Sequence, residues 1–175
     1  MSRTPKRPIN QICQKTHMEF KQLGSLALAF FCLGAAAQPE PEEWKESEAP
    51  PPPAFNASQL IALNMPPYVT LQVGVDPATL VITPDGIVRY VVVARNAAGS
   101  TTAMYEGLRC ATGQVKTYAR QTAGSAWAVV NNPQWQALNA RLPSKHAMVL
   151  AYQGVCDSPG TTASSVADIV RALKK

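Results

Sequence analysis

At 175 residues with 46% apolar content, the chain has the size and composition of one globular domain and not of a disordered protein. Its longest apolar run falls well short of the roughly 20 residues that carry a helix across a bilayer. The net charge of +5, from 16 Lys+Arg against 11 Asp+Glu, and the four Cys are unevenly spread along the chain.

Arg3, Lys6, Arg7, Lys15 and Lys21 precede an apolar stretch over Leu26–Ala37 that ends in Ala35-Ala36-Ala37. A basic region, a short apolar core and small residues at its end predict a secretory signal over residues 1–37, cleaved before Gln38. Either Met1 or Met18 serves as its start, and the expected destination is the periplasm. Cys32 follows Phe30-Phe31, and bulky aromatics suit a lipid-attachment site poorly. Ordinary cleavage, which removes Cys13 and Cys32, is therefore expected over an outer-membrane lipoprotein.

Residues 38–53 contain five Glu, one Lys and six Pro, a net charge of −4. Such a stretch cannot bury a core of its own and reads as an acidic, Pro-rich tether. Trp44 in its middle either packs back on the domain or acts as a docking anchor. The domain proper spans residues 54–175, with ten Lys+Arg against five Asp+Glu. The acidic tether could fold over the basic face and screen it.

Within the domain, strands are predicted over Tyr68–Val75, Leu80–Thr83, Ile87–Asn96, Thr102–Cys110 and Gln114–Arg120. Asp85-Gly86, Asn96–Ser100 and Thr112-Gly113 supply the turns between them. Ile87–Asn96 is apolar on both alternating faces, which predicts a central strand covered on both sides. Short turns imply an antiparallel meander. Trp127–Val130 predicts a last short strand, and Asn132-Pro133 a short helix containing Trp135 and Leu138. A helix from Ser144 is expected to turn Met148, Val149 and Tyr152 inward, with a strand as the alternative. Val166, Ile169, Val170 and Leu173 follow helical spacing behind a Ser165/Asp168 capping box. The expected fold class is α+β: an antiparallel β-meander sheet with C-terminal helices packed on it, and one disulfide.

The segments V-D-P-A-T-L (Val75–Leu80), D-G-I-V-R-Y (Asp85–Tyr90) and Y-E-G-L-R-C-A-T-G (Tyr105–Gly113) resemble the cryptic neisserial protein family. These are small cell-envelope proteins of β-proteobacteria, and the resemblance spans approximately residues 65–173. It implies an envelope location and one continuous fold, and it implies no activity.

Once the signal is removed only Cys110 and Cys156 remain, and an oxidising compartment predicts a bridge between them. The alternative, a reactive or metal-binding thiol pair, lacks both a C-x-x-C and neighbouring His. His146 is the single His of the mature chain, so no metal or other cofactor is expected. As a general base it would need a partner, for which Glu106 and Asp157 are candidates; a surface or capping role is the plainer expectation. No nucleophile-elbow, P-loop or dinucleotide-binding pattern occurs, and no catalytic residue is assigned. Tyr105, Glu106 and Arg109 form the candidate binding set, with Arg109 able to fork onto a carboxylate or phosphate. Alternation places Glu106 and Arg109 on opposite faces of their strand. Trp127, Trp135, Tyr118 and Tyr152 are expected to pack in the core, or else to form an aromatic binding patch.

The leading functional expectation is a non-enzymatic periplasmic binding module for a protein or an anionic envelope component, not for nucleic acid. One alternative is a small envelope enzyme with a polar site near Glu106, Arg109 and His146. A second is a structural stabiliser of an envelope complex.

Overall fold

The fold is known from a computed structural model, which describes residues 43–139 and 141–175. The expected signal over 1–37, its two Cys and the start of the tether lie outside the described residues. Strands β1 (Ile61–Ala62), β2 (Gln72–Val75), β3 (Val81–Ile82), β4 (Ile87–Arg95), β5 (Thr101–Arg109), β6 (Gln114–Thr122), β7 (Ala128–Val129) and β8 (Gln136–Ala137) make one sheet. Its order is β1-β2-β4-β5-β6-β7, with β3 also on β4 and β8 also on β6. Every pairing in it is antiparallel. After β8 come helix α1 (His146–Leu150), a hairpin of β9 (Cys156–Ser158) and β10 (Thr161–Thr162), and helix α2 (Val166–Leu173). The result is a β-rich fold with two short helices near its C-terminus. Among the described residues no helix is long and apolar enough to cross a membrane.

Strand β4 explains the architecture. Its period-two pattern sends Val88, Tyr90 and Val92 to one face and Val91 and Val93 to the other, and all five are buried. The first set joins Leu108, Leu150, Val155, Ile169 and Leu173 in the larger core, beneath the helices. The second set joins Ala103, Tyr105, Tyr118 and Ala119 in a smaller core, against Ala49, Phe55, Leu60 and Trp127. Register between β5 and β6 shifts at Tyr105/Glu106, so that Tyr118 is an extra residue opposite the β5 ladder. Such a bulge lets two successive residues, Tyr118 and Ala119, serve the same core. It also makes Gly107 necessary, since a Cβ there would lie 2.6 Å from the Tyr118 hydroxyl.

The smaller core is closed by the segment expected as a tether. From Trp44 onward this segment lies along the sheet and functions as a strap. The Trp44 indole donates to the Asp85 carbonyl at 2.8 Å, and its ring carries the Arg109 guanidinium at 3.5 Å. Ser47 donates twice to the Asp85 carboxylate, through N–H at 2.7 Å and Oγ at 2.6 Å. Glu46 accepts from Lys116, Tyr118 and Trp135 at 2.7–2.9 Å. The Arg89 guanidinium, nearly inaccessible, donates to the Ser47 and Glu48 carbonyls. Of the two roles expected for Trp44 the structure shows packing back on the domain, and the acidic segment lies against basic residues of the sheet, because each strap group meets a complementary group there.

Cys110 and Cys156 form a disulfide across 46 residues, tying the end of β5 to β9. Helix α2 has the expected cap, Ser165 accepting from the Asp168 N–H at 3.1 Å, and it buries Ile169 and Leu173. One local expectation fails and another holds in part. No helix follows Asn132-Pro133; Gln136 and Ala137 pair with Val115 and Gln114, and the Leu138 N–H reaches the Gly113 carbonyl. The exposed edge of β6 and the Trp135–Glu46 bond offer this segment more than a short isolated helix can. The helix expected from Ser144 forms as α1 and Val149 packs against the larger core, but its buried residues are His146, Ala147 and Leu150, and Tyr152 is 81% exposed. The chain leaves α1 through a wider turn, Ala151–Val155, and this rotates Tyr152 outward.

Candidate functional site

The burial of Glu106 follows from its neighbours in sequence. It shares the alternating face of β5 with Met104, Leu108 and Cys110, so the strand carries a carboxylate into the larger core. The cost of burying a charge there is met by three partners. Tyr90 on β4 donates to Oε2 at 3.0 Å and Thr117 on β6 donates to Oε1 at 3.0 Å. From the helix layer, His146 Nε2 meets Oε2 at 2.8 Å. Burial pushes the Glu106 carboxyl up, but His146, together with the hydrogen bonds from Thr117 and Tyr90, outweighs it and holds the group below its ordinary value. Burial and the adjacent carboxylate drive the Tyr90 phenol far up, so it remains a donor.

His146 is the first residue of α1 and only 5% exposed. The expectation of a surface or capping role is corrected: the imidazole is a bridge between helix and sheet. With Nε2 turned to the carboxylate, its other nitrogen, Nδ1, lies 2.6 Å from Ser144 Oγ. An imidazole that donates through Nε2 to a carboxylate leaves Nδ1 to accept the serine proton. Glu106, His146 and Ser144 therefore form a continuous carboxylate–imidazole–hydroxyl chain, reaching from the core to half-buried Ser144.

Ser144 opens on a cleft of about 160 Å³ between β6 and the segment leading into α1. Glu106, Thr117 and His146 line its polar side, Met104, Val115 and Leu142 its apolar side, and Arg120 and Gln136 complete the wall. Arg120 is exposed; among the described residues its side chain makes one weak hydrogen bond, from Nη1 to Met104 Sδ at 3.5 Å. Among the described residues no group of His, Cys, Asp or Glu is placed to hold a metal ion.

The expected binding set of Tyr105, Glu106 and Arg109 is divided by the sheet. Tyr105 lies in the smaller core, its ring 5.4 Å from that of Tyr118. Arg109 is on the same face, stacked on Trp44. Glu106 alone faces the cleft, where it meets His146. Asp157, the other candidate partner of His146, lies on β9 beside the disulfide in a separate groove. The aromatic residues also separate: Trp127 packs edge-on against Phe55, Trp135 against Trp44, and Tyr152 faces solvent. Sequence reasoning missed Ser144 as a partner of His146, and Tyr90 and Thr117 as donors. The available signal was a lone Glu on an otherwise apolar strand face.

No curated protein and no solved structure matches the chain. The model of an uncharacterised family, the CNP1-like family, matches residues 39–174, a span that takes in the strap, both cores and the Glu106–His146 cleft together. The chain belongs to the CNP1-like family.

Proposed function

We propose that the chain is an exported cell-envelope module, released into the periplasm by cleavage after Ala37, that binds an anionic group of an envelope component. The supporting observation is how the strap divides the basic residues. It engages Arg89, Arg109 and Lys116 on its own face. On the opposite side, Arg120 lines the polar cleft without an ion pair among the described residues, and exposed Arg141 precedes the cleft residue Leu142. A guanidinium beside a serine hydroxyl and a Gln amide suits a phosphate or carboxylate.

Titration of the folded chain with inorganic phosphate, followed by backbone amide shifts, tests the binding. Saturable shifts at residues 115–120 and 142–147, lost in Arg120→Ala, are expected; unmoved amides in the wild type would remove this reading. Export is tested separately by the intact mass of the secreted protein, which should lack residues 1–37.

A second reading, a small envelope enzyme, is favoured by the meeting of Glu106 and His146 in this cleft. Arg109, on the opposite face of the sheet, has no part in such a site.

A further inference from the structure

We propose that Ser144 is the nucleophile of an acyl-transfer site in which His146 is the general base and Glu106 positions it. The substrate class is a small O-acyl ester, of acetyl size. This inference rests on the enzyme reading of the cleft, which it makes specific.

Four observations carry it. Ser144 Oγ and His146 Nδ1 are 2.6 Å apart, within the reach that proton abstraction by a base requires. The far nitrogen of the imidazole is anchored at 2.8 Å by a carboxylate with two further donors of its own, so tautomer and ring orientation are fixed. The hydroxyl is half-buried on a cleft of about 160 Å³, which admits a small acyl group and little more. Met104, Val115 and Leu142 give that group an apolar seat, and Arg120 on the same wall supplies a cation for the oxygen on which charge develops.

In the forward step Ser144 Oγ bonds to the carbonyl carbon and its proton passes to His146 Nδ1. The ester C–O bond then breaks, and the leaving alkoxide takes that proton and departs as the alcohol. Water attacks the acyl-serine and gives one proton to Nδ1. The Ser144–acyl bond breaks, Ser144 recovers the proton, and the acid is released. Glu106 stays ionised throughout, accepting from Nε2–H.

The test uses a tagged fluorophosphonate and p-nitrophenyl acetate on the folded chain. One fluorophosphonate adduct is expected, mapped by peptide mass spectrometry to Ser144, absent when the wild type is unfolded in urea, and absent in Ser144→Ala. His146→Gln should slow p-nitrophenyl acetate turnover by about 100-fold or more. Glu106→Gln, which keeps the shape of the side chain, should lower turnover with little change in KM and shift its pH profile. A folded wild type that gives no Ser144 adduct, or turnover unchanged in Ser144→Ala, overturns the proposal. The outcome is distinguishable from that of the anion-binding reading. Phosphate shifts without a Ser144 adduct remove only the nucleophile, and an adduct without phosphate shifts removes only the anion site.

Discussion

Glu106 and His146, separated by 40 residues in the chain, meet at 2.8 Å in the core, in a hydrogen bond that joins α1 to the sheet. Both side chains are nearly inaccessible, and the carboxylate has no solvent to turn to if the imidazole is removed. Helix and sheet are thus joined by a directional bond, where apolar packing alone would leave the start of α1 free to shift along the sheet.

Removing one partner should therefore cost far more than an exposed pair would. For Glu106→Ala we expect a loss of about 3–5 kcal/mol, because Tyr90, Thr117 and His146 all lose their acceptor together. The sign with pH follows from the lowered carboxyl value. Wild-type stability from this group is fully present above its unfolded value of 4.5 and declines as pH falls below it. Urea unfolding of wild type and variant at a series of pH values checks both statements: the gap between them should narrow on acidification.

The strands were legible because β4, β5 and β6 each carry period-two alternation between clear turn signals such as Asp85-Gly86. Residues 132–138 were not, since their structure depends on a partner, the edge of β6, that local sequence does not name. That residues 38–53 could fold back on the basic face was legible, but the partners of the strap were not, for a related reason. Glu46 and Trp44 are ordered by Lys116, Tyr118, Trp135 and Arg109, all more than sixty positions away, so the composition of residues 38–53 describes the segment in isolation and not in contact. Of the site, Glu106 was visible as a candidate and alternation already set it opposite Arg109, but choosing it over Asp157 as the partner of His146 required knowing which helix covers which face.

The disulfide should be the largest single cross-link effect. Closing 46 residues corresponds to about 4 kcal/mol in the loop-entropy account. Cys110→Ser should lower the melting temperature by roughly 15 °C or more, and Cys156→Ser by a similar amount. Calorimetry of the two single variants and of the double checks this, since a shared bond predicts that the double variant is little worse than either single one.

Gly154 sits at φ +148° where the turn after α1 passes α2, and a Cβ there would lie 2.3 Å from the Ala172 Cβ. Gly154→Ala combines a backbone conformation that L-residues avoid with a clash that neither helix can relieve alone, so we expect a loss of about 2–4 kcal/mol. Pairing it with Ala172→Gly separates the two causes. If the clash dominates, the double variant recovers most of the stability in urea unfolding; if backbone strain dominates, it recovers little.

Acid should release the strap before it unfolds the sheet. Burial alone would raise the Asp85 carboxyl, but hydrogen bonds from Ser47 and Thr83, with backbone N–H groups of Ser47 and Ile87, hold it at about 2. A depressed folded value means that the ionised carboxylate stabilises the strapped form. That contribution is complete above the unfolded value of 3.8 and disappears as pH falls toward about 2. The Trp44 indole N–H, bonded to the carbonyl of the same Asp85, is the natural reporter. Its NMR resonance should move toward the solvent-exposed position between pH 4 and pH 2, while amides in the centre of β4 and β5 stay dispersed. In Asp85→Asn the indole should be partly released already at neutral pH, and the acid step should shrink to the part that Glu46 contributes. A Trp44 resonance that stays fixed down to pH 2, or an acid step unchanged in Asp85→Asn, would show that the Trp44–Arg109 stack holds the strap without help from the carboxylate.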